Sequence, residues 1–136
     1  MRFAGYAAIF DRVDRGGDVV RPGAFERSLE RRAGAVPLLW QHDQRRPVGR
    51  IEYLKEDRRG LRVIARLSER PAGRAAAALL GAGRVAGLSF GFVARRWAGR
   101  LPRELLELDL LEVSLVDVPM QPGAEVHSVE PGRTTT

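Results

Sequence analysis

The stretch Ala86-Gly-Leu-Ser-Phe-Gly-Phe92 sets Ser89 between two glycines. In a strand, neighbouring side chains point to opposite faces, so Leu88, Phe90 and Phe92 form one apolar face and Gly87, Ser89 and Gly91 the other. Glycines inside a strand mark places where a backbone or a ligand comes close. A hydroxyl standing in such a gap has room for a peptide on one side and a base on the other. Given that base, it is a nucleophile for acyl transfer. The competing reading is a small-residue face packed on a helix, with Ser89 satisfied by a backbone carbonyl.

A serine hydroxyl needs a proton acceptor, and histidine is the usual one near neutral pH. The chain has two histidines, His42 and His127. The spelling G-x-S-x-G also fits the nucleophile elbow of α/β-hydrolases, which place their histidine after the serine. Here that residue would be His127, beyond Pro119 and Pro122. The chain of 136 residues is also too short for several βαβ units of roughly 30 residues each. The elbow reading therefore fails on order and on length, and His42, at the polar end of an apolar strand, becomes the candidate base. Its orienting acid is expected to be Glu112, which interrupts an apolar strand and must face water or find a partner. Asp109 on the same segment is the alternative. Asp43 is a poor choice, because adjacent residues on a strand diverge. Backbone N–H groups near Gly91 or around Arg95 and Arg96 are candidate oxyanion donors; for the arginines, a solvated strand end competes.

Bulk composition narrows the classes. With 44% hydrophobic and 29% charged residues, the chain reads as a soluble globular domain. No apolar run approaches the roughly 18 residues of a membrane span, and no basic-then-apolar leader precedes the first strand. The absence of cysteine excludes disulfides and thiolate chemistry, and two histidines leave little for a metal site, so no metal or cofactor is expected. A net charge of +6 suggests nucleic acid. The charge is carried by arginines spread along the chain and interleaved with acids, however, so nucleic-acid contact is expected to be incidental. Arginines interleaved with Phe90, Phe92 and Trp97 are what a basic nucleic-acid-binding barrel would offer.

The elements that must position these groups follow from pattern. Residues 3–10, 19–20, 36–42, 48–54, 61–67, 84–97 and 104–118 read as strands. The hairpin across Lys55-Glu-Asp-Arg-Arg-Gly60 is the clearest, with Leu61, Val63, Ala65 and Leu67 alternating against Arg62 and Arg66. Residues 24–32 read as a helix with Phe25 and Leu29 on one face and Gly34 as its stop, and residues 71–80, which carry the alanine run 75–78, as a second helix ended by Gly81-Ala-Gly83. The expected fold is α+β, mainly β: a mostly antiparallel, barrel-like sheet with two short helices. Residues 1–128 form the single domain and 129–136 a flexible C-terminal tail.

Taken together, Gly5-Tyr-Ala-Ala-Ile-Phe10, Gly17-Asp-Val-Val20, Pro22-Gly-Ala-Phe25 and Val36-Pro-Leu-Leu-Trp-Gln-His-Asp43 carry a family resemblance. Pro47-Val-Gly49, Gly87-Leu-Ser-Phe-Gly91 and Leu111-Glu-Val-Ser-Leu-Val116 continue it. Over roughly residues 4 to 126 the chain resembles the prohead, or capsid-maturation, serine proteases of tailed phages and gene transfer agents. Their fold resembles that of the herpesvirus assemblins. The resemblance puts the motif histidine on His42, the motif serine on Ser89 and the acidic position on Glu112; the assemblins use a second histidine, which leaves His127 as a minor alternative. It implies an endopeptidase acting inside the assembling prohead, in the host cytoplasm. Its substrate would be a separate scaffold or the N-terminal segment of the major capsid protein. A homodimer or higher oligomer is allowed, since the assemblins work as dimers. A non-catalytic capsid-assembly module of the same fold is the competing function.

Overall fold

The computed structural model describes residues 1–32 and 35–131. In chain order they form β1 (Arg2–Ile9), β2 (Asp18–Val20), α1 (Glu26–Arg31), β3 (Leu38–Trp40) and β4 (Asp43–Glu56). There follow β5 (Gly60–Leu67), α2 (Pro71–Gly81), β6 (Gly87–Ala98), β7 (Arg103–Val116) and β8 (Val126–Glu130). The expected mainly-β architecture with two short helices is what the chain adopts. Pairing is antiparallel except where β2 and β3 run parallel to β7.

β7 is the spine of this sheet. β6 pairs with it from Glu104 to Val116 and so occupies one whole flank. The other flank is shared: β2 pairs with Arg103–Leu105 at one end and β3 with Val113–Leu115 at the other. From β3 the order continues through β4, β5 and β1 to β8. The sheet bends until its ends meet without forming a ladder. Gly87 and Glu125 make a single bridge, Leu88 N–H donates to Ala124 O at 2.9 Å, and Val126 N–H donates to Ala86 O at 2.8 Å. The expected barrel is thus an open, strongly curved sheet.

The interior is filled by the apolar face of each strand. In β5, Leu61, Val63, Ala65 and Leu67 are all buried, as their alternation requires. In β1 the alternation breaks where a bulge at residues 6–8 turns Ala7 and Ala8 both inward. α1 is only six residues long and leans on its neighbours: Phe25 is fully buried and Leu110 N–H donates to Ser28 Oγ at 2.8 Å. A helix this short draws its stability from such docking rather than from its own propensity. Pro71 opens α2, and Gly83, at φ +70°, follows its end.

Three expectations change. Residues 36–42 are not one strand, because β3 ends at Trp40 and the chain turns at once into β4. β8 was not foreseen; it is short and mostly exposed, and its apolar pattern is weak. It carries the fold through Val129 and Glu130, two residues into the expected tail. Gly34 and residues 132–136 lie outside the described residues.

The meeting point of the sheet's ends leaves no room for a side chain at Gly5. A Cβ there would lie 2.4 Å from Glu125 O and 2.8 Å from Leu88 Cδ1. Gly5→Ala should therefore lower stability by about 1–3 kcal/mol, the usual cost of overpacking, measured as a shifted urea midpoint. An unchanged midpoint would mean that β8 does not hold the start of β6 in solution.

Candidate active site

Every residue of the candidate site is placed relative to β7. Ser89 of β6 pairs directly with Ser114 of β7, and Gly91 pairs with Glu112. Paired residues share a face, with Cβ atoms about 5 Å apart. Ser89, Gly91, Glu112 and Ser114 therefore occupy one small patch. On the other flank of β7, Leu39 of β3 pairs with Ser114. Three residues further on, the chain has turned and reached His42.

That turn is a two-residue hairpin. Trp40 pairs with Asp43, and the residues between, Gln41 and His42, have φ of 50° and 61°. Positive φ at both central positions is the hallmark of a type I′ turn, which normally takes Asn-Gly. For residues with side chains, such conformations cost of order 1–3 kcal/mol each and persist only where surrounding contacts enforce them. Those contacts come from the far end of β7. Gln41 N–H donates to Leu115 O at 2.9 Å, His42 N–H donates to Ser114 Oγ at 3.1 Å, and Gln41 Oε1 accepts from Asp117 N–H at 3.3 Å.

Held in this way, the His42 ring meets the Glu112 carboxylate through a contact between Nδ1 and Oε1. The second carboxylate oxygen, Oε2, accepts from Ser114 Oγ at 2.6 Å. Glu112 is 8% exposed and Ser114 is fully buried. A carboxylate in that position is costly unless hydrogen-bonded and paired, and here both oxygens have partners. The hydrogen bond that Glu112 accepts from the ring raises the His42 pKa above its ordinary value; partial burial opposes this, and the carboxylate's charge adds to it. With Nδ1 engaged by Glu112, Nε2 is the nitrogen left to exchange a proton. Ser89 is 6% exposed and lies across the ladder from Ser114. No hydrogen bond joins Ser89 to His42 among the described residues; catalytic contacts are often long before substrate binds.

Gly91, expected for its backbone N–H, also matters for the side chain it lacks. A Cβ at this position would lie 2.5 Å from Glu112 Oε1 and 3.1 Å from its Cδ. The bare backbone is what lets the carboxylate lie across β6 and reach the imidazole. Arg95 and Arg96 are not brought to the site. They lie six and seven residues beyond Ser89 on the same continuous strand, about 20 Å away at the strand rise. Arg95 is also held by Asp109, at 2.6 Å from its Nε. Asp109 in turn receives Arg31 at 2.6 Å, and its two arginines hold its carboxyl below the usual range. It belongs to that exposed cluster and not to His42. His127 sits on β8, 3.1 Å from Arg62 and beside the Tyr6 ring. Asp43 accepts from Arg45 N–H at 2.9 Å and faces Arg46. Sequence reasoning missed Ser114, although its spacing from Glu112, two residues along one strand, already placed both on one face. Among the described residues, no cluster of histidine and carboxylate side chains is arranged to hold a metal.

The geometry defines a class: a mainly-β, strongly curved sheet with Ser89 and Glu112 on one face and the His42 ring against the Glu112 carboxylate. The chain matches the family model for the caudovirus prohead serine protease over residues 1–135, and it belongs to that family. It is 37% identical over 92 residues to the prohead protease of Enterobacteria phage HK97, covering 66% of this chain and 41% of that protein. The chain thus spans less than half the length of that relative. Among solved structures, the bacteriophage T4 capsid assembly protease superposes with a TM-score of 0.72 at 16% identity, over 87% of this chain and 82% of that one. The KSHV protease, solved with a hexapeptide phosphonate inhibitor, gives 0.61 at 11% identity, over 92% and 63%. These two likenesses establish the assemblin-like fold.

His42 should titrate above about 6.5 in an NMR experiment, and Glu112→Gln should bring its pKa down to that value or below it. Gly91→Ala should act in the same direction by displacing the carboxylate. Because folding raises this pKa, the pair's contribution to stability is fully present below about 6.5 and is lost as pH rises through the folded-state value. A His42 pKa indifferent to both substitutions would mean that the pair does not form in solution.

Proposed function

We propose that this chain is the catalytic domain of a serine endopeptidase that cleaves scaffold or capsid-protein N-terminal segments inside an assembling prohead. Membership of the prohead protease family supports the biological setting. The observation that carries the chemistry is the placement of Ser89 opposite Ser114, beside the His42–Glu112 pair. In this reading Ser89 Oγ attacks the scissile carbonyl while His42 Nε2 takes its proton and later passes it to the leaving amine. Glu112 keeps the Nδ1 proton in place and stabilises the imidazolium that forms, which its hydrogen bond already favours.

Substrate approach follows from the sheet. Beyond Gly87, the outer edge of β6 has no strand partner among the described residues. An extended segment laid along that edge would be held by main-chain hydrogen bonds and carried past Ser89. This mode of binding suits an unfolded scaffold or an N-terminal arm better than a folded domain. Work by the same protein on a second copy, or as a homodimer, is compatible with an exposed edge of this kind.

Co-expression with the neighbouring capsid protein tests the proposal by intact mass. The wild-type chain should shorten the capsid protein, and Ser89→Ala should abolish the cut, a loss of about 10⁴–10⁶ in rate. Cleavage that persists in Ser89→Ala overturns the assignment of the nucleophile. Capsid protein left intact by the wild-type chain favours a non-catalytic assembly module. The rate should also fall on the acid side as His42 protonates, with a midpoint above about 6.5.

A further inference from the structure

Ser114 is a buried hydroxyl that bonds both the second oxygen of Glu112 and the backbone amide of His42, beside the direct contact between their side chains. Its Oγ–H donates to Glu112 Oε2 at 2.6 Å, and its lone pair accepts from His42 N–H at 3.1 Å. It is fully buried and sits directly across the ladder from Ser89. One side chain thus touches the acid's free oxygen and the backbone of the base while standing opposite the candidate nucleophile. A hydroxyl can serve in this way because it donates one hydrogen bond and accepts others, which neither alanine nor a carboxylate can do.

Resting on the reading of Ser89, His42 and Glu112 as nucleophile, base and acid, we propose that Ser114 is the positioning residue that holds acid and base in register. The physical argument has two parts. A carboxylate rotates freely about its last bond unless both oxygens are engaged, and Ser114 fixes Oε2 so that Oε1 faces the imidazole. The Gln41-His42 turn is held in left-handed backbone without a glycine, and the bond from His42 N–H to Ser114 opposes its relaxation. Removing the hydroxyl frees both partners at once: Glu112 Oε2 loses its donor, and the His42 amide loses its acceptor.

Other charged groups around the site are already engaged. Asp43 on β4 is taken up by Arg45 and Arg46, Asp109 on β7 by Arg31 and Arg95, and Arg32 donates to Leu110 O at 2.5 Å. Gln41 and Asp117 are linked through the Asp117 amide. From β6 the facing group is the uncharged Ser89. Glu112 is the charged group that shifts His42, so a change in how Glu112 is held must register on the imidazole.

The experiment compares the wild-type chain with Ser114→Cys and Ser114→Ala. NMR titration of His42 is one readout; kcat and KM on a capsid-protein peptide are the others. A thiol is close to a hydroxyl in volume but a weaker donor, so the series separates hydrogen bonding from packing. The expected result is a graded fall in the His42 pKa toward about 6.5, in the order Ser, Cys, Ala. KM should be nearly constant and kcat reduced about 10- to 100-fold in Ser114→Ala, as for a reacting group misplaced by a fraction of an ångström to 1 Å. Should Ser114→Ala fail to fold, Ser114→Cys alone must show the smaller fall. An unchanged His42 pKa and kcat with lowered thermal stability overturns the proposal and leaves Ser114 a packing residue. A further rise in the His42 pKa also overturns it, since the hydroxyl would then be diluting the carboxylate's charge rather than placing it. Labelling of wild-type Ser89 by a fluorophosphonate is scored separately. If it fails, the reading of the nucleophile fails, while the His42 titration still judges Ser114.

Discussion

A carboxylate sunk into a sheet is costly to hold, and this fold is arranged around one. Glu112 is surrounded by β6, β7 and the turn that follows β3, and partners reach both of its oxygens. That demand reaches outward. It requires a bare backbone at Gly91, a hydroxyl at Ser114 and an imidazole delivered from across the sheet. The delivery in turn requires β3 to run parallel to β7, so that the chain leaves β3 at the end of β7 that holds Ser114 and Leu115. A tight turn with two left-handed residues then completes the approach. Each of these features is unfavourable or unremarkable alone, and together they satisfy one buried charge.

The arginine-rich surface has a similar logic at lower stakes. Arg103 grips Asp18 through two hydrogen bonds of 2.8 and 2.9 Å, and Arg21 joins Asp11 to Glu104. These contacts tie the short strand β2 and its loop to the start of β7. Arg31 and Arg95 converge on Asp109, which ties α1 and β6 to the middle of the same strand. Exposed ion pairs contribute little energy individually. Their effect here is to set where short elements sit, at both flanks of the strand that carries Glu112. Arginines used in this way are not arranged as a stripe for phosphates, although the chain's charge of +6 would still draw acidic neighbours.

Much of this could be read beforehand, and the reasons are local. The alternation of Leu61, Val63, Ala65 and Leu67 named a strand and its buried face without knowledge of its partners. The glycines around Ser89 indicated a gap before anything was known to fill it. The isolated acid in an apolar run pointed to Glu112, because a charge there has so few acceptable environments. Other features were hidden because they depend on partners distant in sequence. β8 has a weak pattern and exists because β1 offers it an edge. Gly91 was named for its backbone N–H, and nothing in the sequence showed that the Glu112 carboxylate lies over it. Arg95 and Arg96 looked close to Ser89 in sequence, yet an extended strand carries them away from it.

Residue types alone therefore determined the core faces and the two helices and made Ser89, His42 and Glu112 the candidates proposed for acyl transfer, since hydrophobic periodicity and proton affinity belong to the residues themselves. Only the tertiary structure decided that His42 occupies a left-handed turn, that Ser114 bonds both Glu112 and the His42 amide and that Gly91 leaves room for the Glu112 carboxylate. Those outcomes depend on strand order and register, which arise from pairings between residues as many as 128 apart and leave no periodic trace in the chain.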